Sequence, residues 1–224
     1  NVSSCFNWFQ DKDAGLGKGE TASIANMITE MQEEFNIDPN NTFVTGMSAG
    51  AGMTMSLISC YPESFKGAAV LAGGPFGVTT KESGQVLLGN LDKTPQTWGN
   101  LVRDARNTVI ATHEYPSLVI VHGEDDNVVD FKNANEVLEQ WSNVLDLSTS
   151  SPSSVAINSD VSLKTYSDQS SNERIWLYEI ENMGHQLPTD PGNGVSQGGG
   201  SGTFAKDKDF FSSYWIAKHW GLIP

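Results

Sequence analysis

The chain has 224 residues, with 13 Lys+Arg against 27 Asp+Glu, a formal net charge of −14, 38% hydrophobic residues and 22 glycines. That size suits a single domain, 1–224, with a real hydrophobic core. No apolar run approaches the ~20 residues needed to span a bilayer, and no basic footprint exists to neutralise nucleic-acid phosphates.

The acid excess repels polyanions, so a neutral ester or sugar is easier to accommodate. Two cysteines, Cys5 and Cys60, allow one disulfide or two buried thiols and do not fix a compartment.

The first strong pattern lies in residues 20–36, where Ile24, Met27, Ile28, Met31 and Phe35 paint one helix face apolar and Glu30, Glu33 and Glu34 fall opposite. Asp38-Pro39-Asn40-Asn41 ends this helix and launches a strand at Thr42–Thr45. Helix-compatible sequence then runs to about Cys60, Tyr61-Pro62 breaks it, and Gly67–Gly74 reads as a buried strand. Residues 75–113 are mixed, with a short helix predicted at Trp98–Ala105. Leu118–Val121 is a third strand, wholly apolar as parallel strands usually are.

Asn133–Val144 is a predicted helix with Val137, Leu138, Trp141 and Val144 inward. Residues 146–172, rich in Ser, Asp and Asn, predict a mobile loop and hairpin excursion with a short strand at Val161–Tyr166. Arg174–Ile180 is a fourth strand and Phe210–Trp220 a closing helix. Strands alternating with helices indicate an α/β fold with a mainly parallel sheet.

Between the first strand and the following helix lies Gly46-Met47-Ser48-Ala49-Gly50. Strand, tight turn and helix are the context in which G-x-S-x-G becomes a nucleophile elbow. Gly46 and Gly50 are expected where strand and helix nearly touch. Ser48 is the candidate nucleophile, and the Ala49 N–H, among the first helical amides, is aimed at a developing oxyanion. Packing of a helix on a sheet through small residues is the alternative role.

A serine needs a base and the base an orienting carboxylate, in the chain order Ser, Asp or Glu, His for α/β-hydrolases. That order eliminates His113 and His122. His185 lies just past the strand ending at Ile180, whereas His219 sits deep in the last helix, where a packed or solvent-facing ring is the better role. His185 is therefore the expected base. Glu124, Asp125 and Asp126 all follow the third strand, and strand direction alone does not choose among them.

Several segments together resemble the polyhydroxybutyrate depolymerase family of esterases, which includes extracellular polyester depolymerases and feruloyl or acetylxylan esterases. They are Cys5-Phe6-Asn7-Trp8-Phe9, Gly46–Gly50, Gly73-Gly74-Pro75-Phe76-Gly77, Thr94–Arg103, His122-Gly123-Glu124-Asp125-Asp126, Met183-Gly184-His185 with Pro188–Gly192, and Ser212–Leu222. The resemblance implies an α/β-hydrolase fold, Asp126 as the acid, and a secreted serine carboxylester hydrolase working through Ser48, His185 and Asp126. The implied substrate is a short-chain polyester or an ester-decorated plant polysaccharide, with no cofactor, metal, nucleic acid or membrane partner.

Met47 and Trp98 are the candidate substrate-binding residues. Trp8 is a further candidate, and core packing competes for both tryptophans. Gly192–Gly202 is expected at the pocket mouth or as a plain loop. Asn1-Val2-Ser3 and Asn40-Asn41-Thr42 fit the glycosylation sequon.

Members of the family normally begin upstream of the Cys-Phe-Asn-Trp-Phe segment, with strands and a loop that supplies the second oxyanion amide. The N-terminal residues do not read as a signal peptide, so the chain is expected to be mature, trimmed or partial. The expectation is accordingly a catalytic domain lacking its N-terminal strands, with the strand at 42–46 central and its outer edge covered by a cleaved but retained N-terminal fragment, by upstream residues absent from this sequence, or by a second copy. A serine peptidase of the same fold, or an inactive binding remnant without a complete oxyanion hole, are the alternatives.

Overall fold

The computed structural model describes residues 4–106 and 111–224, so the first sequon, Asn1-Val2-Ser3, lies outside the described residues. Along the chain the elements are α1 (Gly19–Phe35), β1 (Phe43–Met47), α2 (Ala49–Cys60), β2 (Gly67–Leu71), α3 (Ser83–Leu87) and α4 (Pro95–Asp104). There follow β3 (Ser117–Gly123), α5 (Lys132–Leu145), β4 (Ser153–Ala156), β5 (Val161–Ser167), β6 (Glu173–Ile180), β7 (Leu187–Thr189), β8 (Ala205–Asp207) and α6 (Ser212–His219).

Six strands form one sheet in the order β1-β2-β3-β6-β5-β4. The first four are mutually parallel, and β5 and β4 add antiparallel to β6. The polar 146–172 segment forms a hairpin, as its sequence suggests, with β5 where a strand is expected, and the unexpected strand is β4, which extends the sheet beyond it. Its signal was weak because β4 is exposed at all four residues and offers no hydrophobic alternation.

Side chains alternate across the sheet with period two. Leu118 and Ile120 of β3 and Ile175 and Leu177 of β6 pack with α2 and α5 on one face. Val119, Val121, Trp176 and Tyr178 pack with Phe210 and Ile216 of the α6 region on the other. Helix α5 buries Val137, Leu138, Trp141 and Val144 as its spacing predicts, and the Trp141 indole donates to the Pro116 carbonyl at 2.9 Å. Residues 51–60 of α2 are buried throughout, as expected for a helix apolar on every side.

Helix α1 departs from its predicted face. Ile24 and Ile28 pack against the core, while Met27, Met31 and Phe35 are 56%, 48% and 58% exposed. The helix docks through its N-terminal half, where Thr21 is fully buried and its hydroxyl donates to the Asp13 carbonyl. Its apolar stripe runs on past that contact. In the same region β1 pairs only with β2, and its outer edge has no partner strand among the described residues.

Candidate active site

Ser48 is the single residue between β1 and α2, and its backbone is forced to φ 56, ψ −122. Such a left-handed φ is costly for a side chain bearing Cβ and persists only where surroundings over-determine it. Here the Ser48 N–H donates to the Leu71 carbonyl at 2.9 Å, tying the turn to β2. The Ser48 carbonyl accepts from Ala51 and Gly52 at 2.9 and 3.1 Å, tying it to the helix.

Gly46 is where the elbow is tightest: a Cβ there would lie 2.2 Å from the Gly50 carbonyl oxygen. Gly50 does not share that requirement, since a Cβ on it would meet nothing within 4 Å. Only its carbonyl makes the close approach, so the expected symmetry of the two glycines is corrected. Because α2 begins at Ala49, its first amides have no carbonyl of their own helix to donate to.

The end of β3 is stitched to the turn after β6. A Cβ on Gly123 would fall 2.2 Å from the Met183 carbonyl oxygen, and the N–H groups of Glu124 and Asp125 donate to Ile180 and Met183. These contacts bring Asp126 to His185. Of the three carboxylates, Glu124 and Asp125 are exposed while Asp126 is buried.

Asp126 Oδ1 accepts from the Val128 and Val129 amides at 2.9 Å each, and Oδ2 lies 2.8 Å from His185 Nδ1. Burial alone would raise its pKa. Hydrogen bonds from His122, His185 and the two amides outweigh that and hold the carboxyl well below the usual range. An ionised carboxylate only accepts, which assigns the Nδ1 proton to His185 and leaves Nε2 as the basic nitrogen.

His219 is a half-buried packing residue on the α6 face. It stacks on Trp176 with centroids 4.3 Å apart, lies 2.7 Å from the Tyr178 hydroxyl, and is pushed down to about 4 by burial and then by Lys218.

Ser48 and Ala49 line a pocket whose walls are Cys5–Phe9, Gly73, Gly74, Val86, Leu87 and Val129. Among the described residues no charged side chain lines it, which suits a neutral ligand. The two tryptophans exchange their expected weights. Trp98 is fully buried, packs with Val78 and Val86, and donates from its indole to Glu136 at 2.5 Å, so it is a core residue out of a substrate's reach. Trp8 is the one that lines the pocket.

Met47 is likewise corrected. It lines a different groove, with Leu71, Leu187, Ile216 and Trp220, on the α6 face. Phe6, Leu87 and Val129 escaped the sequence reading because three distant segments converge on Ser48.

Cys60 is a buried free thiol, pushed up to about 12 chiefly by burial, with Sγ 3.9 Å from the Ala14 carbonyl oxygen. No bridge to Cys5 is formed. Among the described residues, Asp190, Asp207 and Asp209 group within 4.8 Å at their carboxylate oxygens, but two of the three are exposed and they are not part of the Ser48 pocket.

Residues 1–153 match the sequence profile of the family described as Esterase PHB depolymerase. The poly(3-hydroxyalkanoate) depolymerase C of Paucimonas lemoignei is 36% identical over 225 residues, covering 100% of this chain and 54% of that protein. Feruloyl esterase B of Talaromyces stipitatus is 31% identical over 198 residues, covering 84% and 53% respectively. The chain spans about half the length of these curated relatives.

Among solved structures, the acetyl xylan esterase from Aspergillus awamori matches with a TM-score of 0.74 at 24% identity, over 81% of this chain and 68% of that one. The PHB depolymerase from Penicillium funiculosum matches at 0.55 and 17% identity, over 82% and 52%. The fold is that of the α/β-hydrolases.

Proposed function

The chain belongs to the esterase PHB depolymerase family, and on that premise we propose that residues 1–224 form one catalytic unit, a serine carboxylester hydrolase. The observation that carries the reading is the 2.8 Å contact of Asp126 Oδ2 with His185 Nδ1 at the same end of the sheet as the strained Ser48 turn.

In this reading His185 Nε2 takes the Ser48 hydroxyl proton as Oγ attacks the ester carbonyl. Asp126 keeps the imidazole in the reactive tautomer and stabilises the imidazolium. The Ala49 N–H donates to the oxyanion. Collapse of the tetrahedral intermediate breaks the ester C–O bond, and the departing alkoxide takes the proton from His185. Water, deprotonated by the same nitrogen, then attacks the acyl-serine and frees the acid.

The substrate class is an ester of a hydroxyalkanoate polymer or of an acetylated or feruloylated polysaccharide, following the names of the relatives and the uncharged pocket wall. The reading includes an extracellular site of action, where a polymer too large to be taken up whole would be met. Hydrolysis of short-chain p-nitrophenyl esters, set against peptide anilides and paired with fluorophosphonate labelling of Ser48, tests the reading. Cleavage of anilides alone, or label on another serine, overturns it. Acid release from polyhydroxybutyrate against acetylxylan and feruloylated xylan then separates the two substrate classes.

A further inference from the structure

His122 has no part in the mechanism above, yet it is a polar residue buried at the same end of the sheet. It is 1% exposed and points to the same face of β3 as Leu118 and Ile120, where an aliphatic side chain would bury without penalty. Its ring meets Phe131 edge-on at 5.8 Å between centroids. An imidazole in such surroundings is unfavourable unless its N–H is used.

The ring spends that N–H on the acid's loop. Nε2 lies 2.8 Å from the Val129 carbonyl oxygen, and a carbonyl only accepts, so Nε2 carries the proton. The same nitrogen is 3.5 Å from Asp126 Oδ2, the oxygen that His185 Nδ1 approaches from its other side at 2.8 Å. Val129 is therefore gripped at both ends of its main chain. Its N–H donates to Asp126 Oδ1 and its carbonyl accepts from His122. The Asp126–Val129 turn is closed by its own carboxylate and pinned to β3 by the histidine.

We propose that His122 is a positioning residue for the acid–base pair: by holding the Val129 carbonyl and facing Asp126 Oδ2, it fixes the carboxylate that orients His185. The inference rests on the reading of Asp126 and His185 as the pair that serves Ser48. His122 reaches the reaction only through Asp126.

Three variants of the full 224-residue chain test it. Leu in His122→Leu keeps the bulk and removes the donor, Gln in His122→Gln carries an amide N–H to the Nε2 position, and Asn in His122→Asn carries one too short to reach Val129. The probes are kcat and KM on p-nitrophenyl acetate and the downfield proton resonance of His185 Nδ1–H.

His122→Leu and His122→Asn are expected to lower kcat by up to about 100-fold, the scale of an ångström-sized misplacement, with KM changed less, and to shift or broaden the His185 resonance. His122→Gln is expected to restore both towards wild type. If His122→Leu does not fold, the contrast of His122→Asn with His122→Gln carries the test.

Wild-type kcat and an unshifted resonance in His122→Leu or His122→Asn would overturn the proposal. So would equal losses in Asn and Gln, which assign the effect to packing. A wild-type chain inert to esters and to fluorophosphonate would instead defeat the underlying reading of the site. The resonance would still report whether His122 holds Asp126 against His185.

Discussion

Gly46→Ala and Gly50→Ala look like equivalent changes to the same motif, but the elbow geometry separates them. A Cβ on Gly46 would stand 2.2 Å from the Gly50 carbonyl oxygen and 2.3 Å from its carbon, both backbone atoms that no rotamer change can move aside. Strand and helix must separate by about an ångström, an overpacking cost of about 1–3 kcal/mol. The first turn of α2 and Ser48 move with them. Gly50 has nothing within 4 Å of its Cβ position and sits in the first turn of a helix, where alanine restricts the unfolded chain. Gly50→Ala is therefore expected to be neutral or to stabilise by about 0.4–1 kcal/mol. At roughly 2–4 °C per kcal/mol for a chain of this size, thermal melts should place Gly46→Ala clearly below wild type and Gly50→Ala at or just above it. The same displacement should cost Gly46→Ala up to about 100-fold in kcat/KM on a p-nitrophenyl ester. A Gly46→Ala protein as stable and as active as wild type would refute the close-approach argument.

Ser48→Ala and His185→Ala should each reduce ester hydrolysis to the residual rate left by binding alone. The melt should be unchanged in Ser48→Ala and lowered in His185→Ala, which strips a partner from the buried Asp126 carboxylate. The double variant should be no worse in turnover than either alone because the residues act as one unit. Additive losses in matched kinetics would contradict that. Asp126→Asn should lower kcat by about 10⁴-fold by favouring the wrong imidazole tautomer, whereas Asp125→Asn, on an exposed side chain, should be nearly silent; the reverse ranking would move the acid. His219 has a folded pKa of about 4 against a reference of 6.5, so between those values the unfolded chain binds a proton that the folded one refuses. Stability is thus present in full above pH 6.5 and falls as pH drops towards 4, by about 1–2 kcal/mol after discounting for residual solvent contact. Urea melts at pH 7 and pH 4.5 should show this slope in wild type and a shallower one in His219→Gln; equal slopes would place the sensitivity elsewhere.

What the sequence made legible divides by range. The inward stripe of α5 and the apolar run of β3 read correctly because periodicity is a local property and both elements are covered on the side it marks. Helix α1 has an equally clear stripe, but periodicity says that an apolar face exists and not what lies over it. Met27, Met31 and Phe35 are the result. Strand β5 was legible, but β4, its partner in the hairpin, hid for the opposite reason: that outer strand has no buried side to mark.

The site divides the same way. Ser48 announced itself because the elbow's demands, a small residue at Gly46 and a strained turn, fall within five consecutive positions. The acid did not. Glu124, Asp125 and Asp126 are equivalent as letters, and what distinguishes Asp126 is a turn in which Oδ1 collects two amides two and three residues ahead, freeing Oδ2 for His185. Only the resemblance, through the position after His122-Gly123, carried that information at the level of sequence. The pocket wall was least legible, since Phe6, Leu87 and Val129 meet only after three segments converge. Trp98, whose motif neighbourhood suggested a ligand, is claimed by Glu136 and the core. The pattern explains why His122 also went unnoticed. Chain order excludes it as a base, and nothing in the sequence shows that a histidine at the end of an apolar strand faces the same Asp126 oxygen that His185 Nδ1 approaches.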